Sequence, residues 1–354
     1  MGLSIGIVGL PNVGKSTLFN ALTKNKVEAQ NYPFCTIDPN IGIVSVPDKR
    51  LELLAKTVNT QKIVPAIVEF VDIAGIVKGA NKGEGLGNKF LSHIRECDAI
   101  VEVVRDFDND NIIHVEGKVN PVSDIETIKT ELILADLETI TKIVDRLEKE
   151  AKKESKKKAE LEISLKLKEI LDKGMPAREL ELTDDEQSMI KSYNLLTAKP
   201  HFYVINIDED HILDNAKKLN MDNAIKISAK IESELSDLSQ EDADEYLKEI
   251  GQKESGLNML IKKSYDILSL QTFFTAGEKE AKAWTIKKGA KAPEAAGTIH
   301  TDFEKGFIKA EVINWKEFVS LQGWVNAREQ GKVRLEGKDY IVQDGDVMLF
   351  KFNL

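Results

Sequence analysis

Eight residues near the N-terminus constrain this chain more than any others. Gly9-Leu10-Pro11-Asn12-Val13-Gly14-Lys15-Ser16 fits the pattern G-x-x-x-x-G-K-[ST]. It stands between an apolar run, Leu3 to Val8, and a helix predicted over Lys15 to Thr23. In that order the glycines let backbone N–H groups turn inward around an anion, and the helix presents its positive end. Such a loop cradles nucleotide phosphates. Lys15 then reaches the β- and γ-phosphates, the Ser16 hydroxyl ligates Mg²⁺, and Asn12, Val13, Gly14 and Thr17 complete the phosphate site. A chance match in a glycine-rich turn would lack the flanking strand and helix.

Further apolar runs at Ile41 to Val46, Ile67 to Val71, Ala99 to Val104, Phe202 to Ile207 and Ala224 to Ile227 alternate with helical stretches. That alternation describes an α/β fold with a doubly wound, mostly parallel sheet covered on both faces. Asp72-Ile73-Ala74-Gly75 follows one of these strands, 57 residues beyond Lys15. At a strand end Asp72 holds Mg²⁺ through water, and the Gly75 N–H meets the γ-phosphate. Alone this tetrapeptide is usually a turn; beside the glycine loop it points to a nucleotide hydrolase. Thr36, in Asn31-Tyr32-Pro33-Phe34-Cys35-Thr36, is the candidate switch threonine completing the Mg²⁺ shell, against the plain reading of a loop residue. Gly79, Gly83, Gly85 and Gly87 read as a second switch, although any flexible loop would look similar.

Asn206-Ile207-Asp208-Glu209 ends a buried strand where guanine-specific proteins carry N-K-x-D. With Glu209 displaced by its extra methylene and Ile207 in place of lysine, guanine loses its partner, whereas the adenine 6-amino group can donate to backbone carbonyls. ATP is therefore favoured over GTP. Ser228 and Ala229 follow the next strand as the loop that closes over the base. Ile76 stands where a glutamine would orient the attacking water, so His114 is the named catalytic candidate beside Lys15. A lone loop histidine is as readily structural. Asn12 is a candidate ligand for K⁺ bridging phosphate oxygens.

The 354 residues suffice for two or three domains, and the net charge of −10 argues against a protein that coats nucleic acid non-specifically while leaving room for a local basic patch. No run approaches the roughly 18 apolar residues of a membrane span, and two cysteines give no disulfide framework. The expectation is a cytoplasmic monomer. From about 124 to 199 apolar residues at spacings of 3 and 4, among them Ile128, Leu132, Ile140, Val144 and Leu147, predict an antiparallel helical arm of coiled-coil type. The arm is inserted in a domain spanning 1–275. Its tip carries Lys152, Lys153, Lys156, Lys157 and Lys158, either a solvated face or a contact for RNA phosphate. Residues 276–354, with strands predicted at Gly306 to Val312, Tyr340 to Val342 and Val347 to Phe352, read as a small α+β module.

Taken in this order, the motifs resemble the YchF or Obg-like ATPase family of translation-factor-class nucleotide hydrolases, and the resemblance covers the whole chain. Gly297-Thr298-Ile299-His300-Thr301-Asp302-Phe303-Glu304-Lys305-Gly306 resembles that family's C-terminal signature. The resemblance implies a TGS domain of β-grasp fold, a preference for ATP, a catalytic histidine at position 114, and association with the ribosome or its 50S subunit. Two alternatives remain at this stage: a GTPase of ribosome assembly, and an RNA or protein adaptor whose nucleotide site is regulatory.

Overall fold

The computed structural model describes residues 3–24, 40–73, 86–109, 112, 114, 117–211, 221 and 223–353. They form two compact units, one from Leu3–Gly42 and Glu69–Leu257, the other from Ile43–Val68 and Asn258–Leu354.

The first sheet contains β1 (Ser4–Val8), β2 (Ile41–Ser45), β4 (Ile67–Asp72), β5 (Ala99–Asp106), β6 (His201–Ile207) and β7 (Ala224–Ile227). Their order is β2-β4-β1-β5-β6-β7. From β4 to β7 every pairing is parallel. β2 runs the other way, because Asp72 N–H meets the Asn40 carbonyl while Val46 N–H meets that of Ala66. β5 is buried at every position, so it has no solvent face to alternate with, and its apolar residues are interrupted only by the buried Glu102 before Arg105 and Asp106. The loops leaving β1, β4, β5, β6 and β7 all start at carboxyl strand ends, where sheets of this kind bind ligands.

Helix α1 (Lys15–Lys24) buries Leu18, Phe19, Ala21 and Leu22. α3 (Leu86–Glu96) leads into β5, and α7 (Ala229–Leu235), α8 (Gln240–Glu249) and α9 (Gly256–Ile267) follow β7. The Glu232 carboxylate accepts from Gly256 N at 2.6 Å and Leu257 N at 3.1 Å, capping two otherwise orphaned donors at the start of α9.

The predicted arm is present as α4 (Pro121–Glu150) and α5 (Lys157–Asp172). Asn120 caps α4 by accepting from Ser123 N at 3.3 Å, and Pro121 at the first turn forfeits no intrahelical bond. Ile133, Ile140 and Val144 pack against Ile163, Leu167 and Leu171 along the seam. The stretch holds a third helix, α6 (Asp184–Ile190), not read from periodicity; a capping box between Thr183 and Glu186 starts it. At the arm base, fully buried Asp136 accepts from Leu196 N, Thr197 N and Thr197 Oγ1 at 2.7–2.8 Å.

In the second unit, α2 (Lys49–Thr57) and β3 (Ile63–Val64) join β8 (Leu270–Ala276), β9 (Ala281–Lys287), α10 (Ala292–Ile299), α11 (Thr301–Lys305), β10 (Phe307–Asn314), α12 (Trp315–Ser320), α13 (Trp324–Glu329), β11 (Arg334–Glu336) and β12 (Asp346–Phe352). The sheet order is β11-β10-β12-β8-β9-β3, with β8 and β12 parallel at its centre between antiparallel pairs. α10 lays Ala292, Ala295 and Ala296 on Phe273, Phe307, Ala310 and Phe350, a β-grasp arrangement. The strand expected at Tyr340 to Val342 is only a bridge between Ile341 and Lys291. Arg50 of α2 pairs with Asp48 at 2.7 Å and Asp344 at 2.5 Å and lies over the Phe274 ring. Among the described residues no helix is long and apolar enough to cross a membrane.

Candidate functional site

The glycine loop owes its shape to two close approaches. A Cβ at Gly9 would lie 2.7 Å from the Val103 carbonyl oxygen, and one at Gly14, where φ is +93°, would lie 2.1 Å from Asn206 Nδ2. Neither position admits a side chain. The loop opens onto a cavity of about 1030 Å³ lined by Leu10, Pro11, Asn12, Gly14, Lys15, Ser16, Thr17, Asp72, Asn206, Glu209, Ser228 and Ala229, among others. Ten predicted binding residues thus share one cavity. Val13 is buried and joins through its backbone: its carbonyl accepts from Asn206 Nδ2 at 2.9 Å. Asn206 Oδ1 in turn accepts from Ala229 N at 3.0 Å, so one buried amide ties the glycine loop to the loop after β7. Thr36, Gly75, Ile76 and the glycines at 79, 83 and 85 lie outside the described residues.

Lys15 donates directly to the Asp72 carboxylate, and both groups are largely buried. β1 and β4 are neighbours with Ile7 opposite Asp72, so the sheet itself brings these two residues to the same edge. Ser16 and Asp72 offer a hydroxyl and a carboxylate to the cavity, the hard oxygen donors that Mg²⁺ prefers. The donor set fits the ion.

Sequence reasoning missed the loop after β5. Phe107, Asp108, Asn109 and Ile112 line the cavity, and Arg105, fully buried at the end of the strand, organises them. Its guanidinium donates to the carbonyls of Phe107, Asn109 and Ile112 at 3.0–3.3 Å and stacks 4.4 Å from the Phe107 ring. An arginine near the end of a mostly apolar strand was the available signal, since a buried charge needs this many acceptors. Arg105→Ala strands three carbonyls. It is expected to cost about 3 kcal/mol or more of stability in denaturant melts, and a loss under ~0.5 kcal/mol would show that the loop is held by other contacts.

His114 does not line the cavity. It is buried, with Nε2 at 3.0 Å from Asp124 Oδ2 in the first turn of α4. Near Asp124, burial holds Glu102 well above the usual carboxylate range, with Asp124 and Glu126 adding to the push against Arg178. Burial also drives the neighbouring His201 down to about 3, and its Nε2 lies 3.2 Å from the Glu102 carboxyl.

With this geometry in view, the similarity to known proteins is decisive. The chain is 56% identical to the ribosome-binding ATPase YchF of Bacillus subtilis, with both chains covered in full. It is 52% identical, again over both full lengths, to the protein of that name in Escherichia coli O157:H7. The chain belongs to the YchF family. The solved YchF GTPase of Schizosaccharomyces pombe superposes with a TM-score of 0.88 at 40% identity, covering 99% of this chain and 98% of that one. Residues 4–161 match a family model described as a 50S ribosome-binding GTPase, and residues 270–353 match the YchF-GTPase C-terminal model, described as a protein of unknown function.

These names differ over the base, ATP in some and GTP in others, so the base loop of this YchF chain matters. Glu209 is exposed and pairs with Lys230 at 2.8 Å. The Asp208 carboxylate accepts from Asp108 N at 3.2 Å, bridging the loops after β6 and β5. Ile207 is buried among Val104, Ile125 and Ile205. Both carboxylates at the end of β6 therefore have protein partners, and the position of a guanine-anchoring lysine is part of the core.

Proposed function

We propose that this chain is an ATP-hydrolysing switch that binds the ribosome or its large subunit, acting as a cytoplasmic monomer. The observation that supports it most directly is Lys15 facing Asp72 across the cavity floor. In the absence of nucleotide each neutralises the other. Bound triphosphate would draw the ammonium onto the β- and γ-phosphates, and Asp72, Ser16 and Thr36 would then be the residues to hold Mg²⁺. Mg²⁺ supplies charge neutralisation on the phosphate oxygens when bound. Gly75 contributes its N–H at the γ-phosphate, and Asn12, whose φ is 63°, is assigned to a bridging K⁺. His114 is assigned to the attacking water.

For the base, the pairing of Glu209 with Lys230 supports adenine. Guanine N1–H and its 2-amino group would compete with Lys230 for the Glu209 carboxylate, whereas adenine makes no such demand. ATP is expected to bind at least about tenfold tighter than GTP, a gap of about 1.4 kcal/mol. Titration calorimetry with both nucleotides checks this, and equal affinities would sink the adenine assignment. The ribosome assignment rests on the names of the relatives, on the lysine-rich arm tip and on the C-terminal TGS module. RNA phosphate is the chemistry that a cluster such as Lys152, Lys153 and Lys158 would meet.

A further inference from the structure

On the reading that His114 serves hydrolysis, we propose that Asp124 is a positioning residue that holds the histidine withdrawn from the nucleotide cavity, so that the first turn of the arm helix sets the hydrolysis rate. The geometry is that of a closed latch. The His114 and Asp124 side chains are 4% and 3% exposed, with 3.0 Å between Nε2 and Oδ2. A carboxylate only accepts, so the imidazole Nε2 carries the proton and donates it. Asp124 is suited to carry the charge. It sits in the first turn of α4, at the positive end of the helix, with its own N–H bonded to the Asn120 carbonyl at 3.0 Å. Burial pushes the nearby Glu102 carboxyl well above the usual carboxylate range.

Upstream, Arg105 fixes Phe107, Asn109 and Ile112 at the cavity; only two residues beyond Ile112, His114 is turned into the protein instead. α4 runs on to Glu150 as one helix of the arm, so the carboxylate and the arm belong to one continuous helix through which a displacement of the arm would reach Asp124. Turnover is then the intrinsic rate multiplied by the fraction of molecules in which His114 is released.

The test is a double-mutant cycle on the full chain with ATP and Mg²⁺. Asp124→Asn keeps the shape but replaces the charged acceptor. It is expected to raise kcat about three- to tenfold with KM for ATP unchanged, and to do nothing in a His114→Ala background. An unchanged or lower kcat in Asp124→Asn, while His114→Ala is slow, would overturn the latch and leave the catalytic histidine standing. A rise of equal size in both backgrounds would also overturn it, since Asp124 would not be acting through His114. Wild-type turnover in His114→Ala would remove the catalytic histidine and the latch together. The resting state is checked without any substitution at 124: in the ¹⁵N-histidine spectrum of the nucleotide-free protein, a slowly exchanging Nε2 proton assigned by its loss in His114→Ala is expected. Its absence counts against the latch even if Asp124→Asn fails to fold.

Discussion

Lys15→Ala is expected to abolish detectable ATP hydrolysis and to weaken triphosphate binding at least tenfold. The ammonium is the cation that the fold delivers to the cavity floor, at the first residue of α1, with glycine-loop backbone on one side and Asp72 on the other. Negative charge gathers on the phosphate oxygens as the γ-phosphoryl group transfers, and a fixed, largely buried positive charge stabilises it strongly. Removing that charge also leaves Asp72 without its partner at the site where triphosphate binds. Like charges then face each other in the Mg²⁺-free state, so the loss is steepest when Mg²⁺ is limiting. Single-turnover hydrolysis and calorimetry measure the two effects separately. Unchanged turnover would mean that the cavity bounded by Lys15 is not where hydrolysis occurs.

His114→Ala is expected to lower kcat by about 10²-fold while leaving the ATP dissociation constant within a factor of two or three, the range usual for a group that orients or accepts from an attacking water. The separation between rate and binding follows from position. In the resting chain the imidazole contacts Asp124 and not the cavity, so ground-state phosphates gain nothing from it. An effect on binding as large as that on rate would mark His114 as a residue that shapes the loop after β5. A variant that hydrolyses ATP normally would leave it structural, with the water oriented by a cation or a partner.

Much of the nucleotide site was legible in the sequence because backbone geometry encodes it. Gly9, Gly14, Lys15, Ser16 and Asp72 are read from spacing alone, since only glycine fits at the two close approaches and only a strand-loop-helix order aims the donors inward. The arm was legible for a related reason: a repeat at spacings of 3 and 4 leaves one face for a partner helix, and Ile140, Val144 and Leu147 are buried along it. Strands β8 and β9 were not read. β8 is buried on both faces and so shows no period of two, and β9 mixes lysines into its run, Ala281-Lys282-Ala283-Trp284.

By itself the sequence determined the phosphate loop, the order of strands and helices that supports it, the arm, and the departure of Ile207 and Glu209 from a guanine-reading motif. Each depends on residues near one another in the chain, where period, spacing and the special freedom of glycine act directly. Tertiary structure alone decided the partners. That Lys15 meets Asp72, that Asn206 binds both Val13 and Ala229, that Arg105 gathers three carbonyls, and that His114 is turned toward Asp124 all follow from which strands lie side by side and which helix starts beneath which loop. Buried polar groups must find acceptors or donors wherever packing brings them, and no local pattern records which ones they will find.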